Sequence, residues 1–315
     1  MSTPRHELEN PYGERLAVAA SAVRQAARAA FGVHEELGES GLEEVQTNQF
    51  GDTALRGDVE AEAAVIDKLE STGKPIRVFS EEHGVVELHP DLGDPEMLAI
   101  VDGLDGSDEY KEKRGIGRYG TLIAIFDGAD PTYGDYLAVS YMEHPTGRFI
   151  LAAKGKGVSV NNFRTAEVTF PVPANATKLQ PDSVIYVDSK TVRPNNPLYE
   201  YFLTNREAFA RPLAKAGYQT RRLGSSGAHF ATIVLGESVA VGEATRKGNL
   251  EFATAYALMR ESGGVMTTLD GEDIGGRRFL EFGQSEHIPV LLAANPELGR
   301  YILDLLNRNR VDPAW

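Results

Sequence analysis

The stretch AIVDGLDGSDEY, Ala99 to Tyr110, changes character in its middle. Ala99, Ile100 and Val101 continue the apolar run EMLAIV and read as a buried strand. Asp102, Asp105, Asp108 and Glu109 then crowd into the turn that follows. Like charges this close repel one another, and partial burial strengthens the repulsion. The turn is therefore either fully solvated or a place where a cation belongs. Gly106 and Ser107 follow Asp105, and a helix can start there. Backbone N–H groups at a helix start attract anions. A cation site beside an anion site describes a phosphate ester and the water that attacks it.

Two more acidic sites occur at the ends of expected elements. Ser80, Glu81 and Glu82 close the segment PIRVFSEE, and Glu251 opens LEFATAYALM. Each has an ordinary alternative: Asp-Gly pairs form turns, Glu pairs sit on surfaces, and Glu at a helix start complements the dipole. Their occurrence together, in order, at strand and helix ends favours a shared ligand set. With no cysteine and no paired histidines, carboxylates suit a hard cation. Mg²⁺ takes oxygen ligands at about 2.0–2.1 Å and keeps water or phosphate in its shell. Several carboxylates can hold two such ions about 3.5–4 Å apart, as in displacement at phosphorus.

Outward from this turn, GERLAVAASAVRQAARAAFGVHEEL predicts one long helix, Gly13 to Leu37, broken by Gly38, Ser40 and Gly41. GDVEAEAAVIDKLEST predicts a second, entered near Asp58 and stopped by Gly73 and Pro75. After the acidic strands, YGTLIAIFDG and DYLAVSYMEHPTGRFILAAKGKGVSVNN predict further strands with turns at Asp127-Gly128, Pro145–Gly147 and Gly155–Gly157. The first half is thus two helices and a mainly antiparallel sheet. PVPANATKLQPDS is turn-rich and marks the expected boundary: an α+β domain, 1–170, holding metal, and an α/β domain, 171–315. In the second, strand-like SVIYVDS, YQTRRLG, SVAVGE, VMTTLDG and IPVLLAAN alternate with helical segments.

The 315 residues are 42% hydrophobic and 25% charged, an ordinary globular composition with room for one or two cores. The formal net charge of −14 argues against binding nucleic acid polymers or anionic membranes. The polar N-terminus lacks an apolar signal core, and no apolar run reaches about 18 residues. A soluble cytoplasmic protein with no membrane contact is expected.

At the acidic motifs the chain resembles the superfamily of inositol monophosphatases and fructose-1,6-bisphosphatases, Mg²⁺-dependent phosphomonoesterases. SEEHG is similar to the family's acidic pair. DGLDGS is similar to its Asp-Pro-x-Asp-Gly-Thr/Ser. LEFATAYALMRESGG is similar to the helix that usually opens with Trp-Asp. GDVEAE, EHPTGRFILAAKGKGVSVNN, RRLGSSGAHFATIVLGE and IPVLLAANPELGRYILDLL extend the likeness from about Asp58 to Leu306. It is weakest between Pro171 and Gln219.

The resemblance implies an α/β (α+β) fold, a layered αβαβα sandwich with an antiparallel-sheet N-terminal half and an α/β C-terminal half. It implies that Glu81, Asp102 and the Leu104 carbonyl hold one Mg²⁺, and Asp102, Asp105 and Glu251 a second. Gly106 and Ser107 would cradle the phosphate. The Ser107 hydroxyl would help orient the attacking water, Asp58 would pair with Ser107 or activate the water through a third metal, and Glu82 would be a further catalytic carboxylate. Gly224, Ser225 and Glu243 would contact substrate. Acidified water makes a histidine base unnecessary, so His83 and His144 receive no catalytic role. Gly103 stands where the family usually has Pro, which should loosen the loop. Glu251 stands where most members have Asp, as in classical fructose-1,6-bisphosphatases.

The expected activity is hydrolysis of a small phosphorylated polyol or sugar of the inositol monophosphate kind. A 3′(2′),5′-bisphosphate nucleotidase and a fructose-1,6-bisphosphatase are the alternatives, and a catalytically silent phosphate-ligand binder is the alternative of another class. Lys111, Lys113, Arg114, Arg118, Arg221, Arg222, Arg246 and Lys247 are candidates for holding a second phosphate. The expected partner is a small phosphorylated metabolite. Homodimers are common in the family, which leaves a homodimer as one candidate state that nothing in this chain itself establishes.

Overall fold

The computed structural model describes residues 13–48, 51, 53–246 and 248–310. Helix α1 (Gly13–Leu37) buries Ala19, Ala22, Val23, Ala26, Ala27, Ala30 and His34 along one stripe. That is the spacing of a helix laid on a flat surface, and its alanines let backbones approach closely. A short hairpin, β1 (Glu44–Thr47) and β2 (Thr53–Leu55), leads into α2 (Arg56–Glu70). The sheet strands β3 (Ile76–Ser80), β4 (Gly84–Leu88) and β5 (Met97–Asp105) follow, then α3 (Ser107–Lys113). Next come β6 (Gly120–Asp127), β7 (Tyr136–Glu143), β8 (Arg148–Ala153), β9 (Gly157–Asn162) and β10 (Val168–Thr169). They form one eight-stranded sheet in the order β10-β9-β8-β7-β6-β5-β3-β4. Every pairing is antiparallel except β3 with β5.

The second half begins with β11 (Ile185–Val187). Helix α4 (Tyr199–Asn205) then passes through a wide turn, Arg206–Ala210, into α5 (Arg211–Lys215). After α6 (Ser226–Val234) come β12 (Ala240–Ala244), α7 (Leu250–Ser262), β13 (Val265–Thr268), β14 (Pro289–Ala293) and α8 (Pro296–Arg308). A four-stranded sheet forms in the order β11-β12-β14-β13. The strand expected at YQTRRLG reduces to a single bridge from Arg221 to Tyr186.

Helices α1 and α2 cover one face of the large sheet. Helices α6 and α7 fill the space between the two sheets, α4 and α8 pack against the small one, and α5 packs on α8. The αβαβα sandwich is therefore the architecture found. One apolar core runs from the large sheet through α6 and α7 into the small sheet. Its packing is tight at Gly242 on β12, where a Cβ would lie 2.4 Å from the Phe209 ring. Gly242→Ala should therefore cost about 1–3 kcal/mol, measured by urea unfolding.

Two topological details position the site. Because β3 and β5 run parallel with Ser80 paired to Val101, both strands end at the same edge. The turn at Glu81 thereby lies beside Asp102, although 21 positions separate them. The β5–β6 register then slips between Asp102 and Asp105. Such a bulge re-aims side chains away from the regular pleat, here at the two aspartates that sequence singles out.

Candidate functional site

A cleft of about 380 Å³ opens at this sheet edge, lined among others by Asp58, Glu81, Glu82, Asp102, Leu104 and Asp105. Gly106, Ser107, Gly224 and Ser225 also line it. Of the site residues expected from sequence, Glu243 and Glu251 are outside this lining. Glu251 opens α7 and borders an adjoining pocket of about 490 Å³ that shares Glu81, Leu198 and Arg246 with the cleft. Oxygens of Asp102, Asp105 and Glu251 nevertheless lie within 4.8 Å of one another, and all three residues are buried. Three carboxylates from two halves of the chain thus converge on one point.

Their electrostatics call for a cation. Burial first, then Glu81, Asp105, Asp58 and Glu62, push Asp102 well above the ordinary carboxylate range. Asp58 is raised well above it in the same way, by burial and then by Glu62, Glu81, Glu82 and Asp105. Buried Asp58 Oδ1 and Glu82 Oε2 have no hydrogen-bond partner among the described residues. Buried carboxylate oxygens without donors are costly. An all-oxygen set of this kind fits a hard divalent ion.

Asp105 is held differently. Ser225 Oγ donates to its Oδ2, as does Gly227 N at 2.8 Å, while Ser226 N reaches its Oδ1 at 3.2 Å. The start of α6 therefore clamps this carboxylate, with Ser225 as the N-cap. Burial still raises its pKa, against the hydrogen bond from Ser225, the charge of Arg246 and the amide of Gly227. Ser107 begins α3 as expected, after Gly106 at φ 91°. Asp58 Oδ1 makes no hydrogen bond to Ser107.

Glu243 takes a different place from the one expected. It is buried on β12 and accepts hydrogen bonds from Ser226 Oγ, Tyr201 OH (3.0 Å) and His229 Nδ1 (3.1 Å). His229 Nε2 accepts from Leu223 N at 2.9 Å, which leaves the proton on Nδ1. With its lone pairs engaged, Glu243 stabilises Ser226, which lines the cleft, and does not itself face it. Gly103 also corrects an expectation. Its amide donates to Glu62 Oε1 (3.2 Å) and its carbonyl accepts from Thr121 Oγ1 (2.8 Å). A Cβ there would lie 2.6 Å from Asp58 Oδ1. The glycine is held on both sides, and the close approach of Asp58 leaves no room for Pro.

The candidate cations separate cleanly. Lys111, Arg222 and Arg246 line the cleft. Arg222 Nε pairs with Asp188 at 2.5 Å, and Arg246 pairs with Glu251. Lys113 pairs with Glu109, Arg114 with Glu39, and Arg118 with Glu143 and Glu237. Arg221 is outside the lining, and Lys247 lies outside the described residues. Sequence reading did not single out Asn48, whose Nδ2 donates to Glu82 (3.1 Å) and Glu81 (3.3 Å). Nothing local in the sequence marks it.

The model of the Inositol monophosphatase family matches residues 14–303, and the chain belongs to that family. It is similar to the fructose-1,6-bisphosphatase/inositol-1-monophosphatase of Methanothermobacter thermautotrophicus, 26% identical over 254 residues, 79% of this chain and 81% of that one. It is 25% identical over 283 residues to the inositol-1-monophosphatase of Bacillus subtilis, 90% of this chain and 92% of that one. Among solved structures, the extragenic suppressor protein SuhB from Bartonella henselae aligns with a TM-score of 0.69 at 18% identity, covering 93% of this chain and 99% of that one. An inositol monophosphatase from Zymomonas mobilis aligns with a TM-score of 0.62 at 16% identity, covering 94% and 99%. The chain is a phosphoric monoester hydrolase of this family, acting on small phosphorylated substrates. No helix among the described residues is long and apolar enough to cross a membrane.

Proposed function

We propose that this enzyme is a Mg²⁺-dependent phosphatase of a small phosphorylated polyol or sugar, of the inositol monophosphate kind. The observation that carries the reading is the convergence of Asp102, Asp105 and Glu251 within 4.8 Å, beside Gly106 and Ser107. In this reading Glu81, Asp102 and the Leu104 carbonyl hold one ion, and Asp102, Asp105 and Glu251 a second. When bound, Mg²⁺ would neutralise phosphoryl charge and acidify water. Gly106 and Ser107 cradle the phosphate. Asp58, raised by burial and with Oδ1 free of partners, is suited to take the proton of the attacking water. Glu82, also raised by burial, is a second acceptor on the same wall. Gly224 and Ser225 face the substrate, with Glu243 acting through Ser226. Residues 1–170 then form the metal-binding domain, and 171–315 supply Glu251 and the opposite wall.

A second reading draws on Lys111, Arg222 and Arg246, which line the same cleft. They suit a bisphosphate, whether of fructose or of a nucleoside. Phosphate release from inositol 1-phosphate, fructose 1,6-bisphosphate and adenosine 3′,5′-bisphosphate, with Mg²⁺ and with EDTA, separates the readings. Turnover of the first in Mg²⁺ alone is the expected result. Release that persists in EDTA would sink the metal-dependent reading, and preference for either bisphosphate would replace the first reading with the second. Our reading also includes a cytoplasmic homodimer, tested by cell fractionation and light scattering.

A further inference from the structure

Glu62 does not line the cleft, yet it is fully buried one helical turn beyond Asp58 on α2. Its Oε1 accepts from the amides of Glu81 (3.1 Å) and Gly103 (3.2 Å). Its Oε2 accepts from Ser80 Oγ and from the amide of Glu82 (2.8 Å), and lies 3.3 Å from His83 Nδ1. A buried carboxylate is stable only when donors fill its lone pairs. Here the donors come from two turns that sequence separates: the end of β3 and the bulge of β5. Both turns carry the carboxylates of the site.

We propose that Glu62 is a positioning residue that locks the Glu81–Glu82 turn and the Asp102–Asp105 bulge into one metal-binding geometry. It acts through backbone amides and touches neither ion nor substrate. Gly103 is its counterpart. Glycine supplies an N–H that proline lacks, so here a hydrogen bond to Glu62 does the work of a rigid ring. Groups that orient metal ligands typically change affinity about 10- to 100-fold when mutated. The proposal rests on reading Asp102, Asp105 and Glu251 as a divalent-cation site.

Glu62→Gln preserves volume and replaces one acceptor oxygen by a donor. Whichever way the amide turns, either Glu81 and Gly103 or Ser80 and Glu82 lose an acceptor. The test titrates Mg²⁺ into the full-length protein and follows the thermal midpoint without substrate, alongside kcat at saturating Mg²⁺. The half-point of the Mg²⁺-dependent rise should move about 10- to 100-fold higher in Glu62→Gln, while saturating Mg²⁺ recovers most of kcat. An unchanged half-point with a lower metal-free midpoint would make Glu62 merely structural and overturn the proposal. A parent protein with no Mg²⁺-dependent rise would overturn the cation reading and the proposal with it. Should Glu62→Gln fail to fold, Ser80→Ala decides by the milder loss of one donor. A higher half-point supports the proposal, and no rise overturns it.

Discussion

Asp102→Asn should lower kcat/KM by about 1,000-fold, equivalent to about 4 kcal/mol of transition-state stabilisation, while making the metal-free protein more stable. The two effects have one cause. Asp102 is buried among Glu81, Asp105, Asp58 and Glu62, and its carboxyl is held well above its ordinary range. The hydrogen bond from Leu104 N to its Oδ1 at 2.9 Å survives in an amide side chain. The substitution removes repulsion and, in the proposed reading, a shared ligand together. Each kcal/mol recovered should raise the thermal midpoint by roughly 2–4 °C, and Mg²⁺ should no longer raise it further. A near-parental rate in Asp102→Asn would take this residue out of the ligand set.

The same crowding sets the sign of the pH dependence. Asp58 and Asp102 have folded pKa values raised above the ordinary 3.8, by burial first and then by neighbouring carboxylates. These two groups therefore bind more protons in the folded state than in the unfolded chain, and their contribution to stability falls as pH rises. It is complete below about pH 4 and is lost as pH climbs through the raised values. Buried His34 and His144, both held neutral by burial, act in the opposite direction, so the comparison that isolates the carboxylates is between parent and Asp102→Asn. In EDTA the parent's thermal midpoint should fall relative to that of Asp102→Asn as pH rises above about 4. A parent midpoint that gains on Asp102→Asn as pH climbs would contradict the assignment.

How much of this was legible beforehand follows from where the interactions lie along the chain. Helix α1 was readable end to end, because its buried alanines repeat at helical spacing. The acidic turn was readable because a run of apolar residues ending in several carboxylates has few physical solutions. Edge strand β4 was not, since its exposed Val85 and half-exposed neighbours carry weak patterning. The role of Glu62 was hidden because its partners lie 18 to 41 positions away. The same distance effect hid the three bonds from α6 to Asp105, which lies at least 120 positions earlier. An amide at 105 would turn a donor toward the α6 amides that clamp Asp105, whereas Asp102 has no such clamp. Glu243 shows the limit of spacing arguments. It lies on the right strand, but its side chain points to Ser226, Tyr201 and His229.

Arg246→Gln should move two measurements in opposite directions. Arg246 pairs with Glu251, lines both the cleft and the adjoining pocket, and lies over the Tyr201 ring at 5.8 Å. Burial opposes its charge, but Tyr201, Glu243, Glu81 and Asp105 together hold it firmly protonated. A permanent cation on Glu251, a ligand in the proposed reading, competes with any divalent ion that needs the same oxygen. Unit charges about 4 Å apart interact by about 4 kcal/mol at an effective dielectric constant near 20. Even a third of that, removed from the competition, tightens Mg²⁺ binding about tenfold, which calorimetric titration reads directly. The ester loses by the same substitution. A guanidinium in the cleft that faces a phosphate stabilises the charge developing there, and removing such a donor costs about 100-fold or more. The half-saturating Mg²⁺ concentration should therefore fall while kcat/KM at saturating metal falls too. Arg246→Lys should sit between parent and Gln in both, since it keeps the charge and loses the planar fork. Mg²⁺ bound no more tightly by Arg246→Gln would separate Arg246 from the ion, and an unchanged kcat/KM would separate it from the ester.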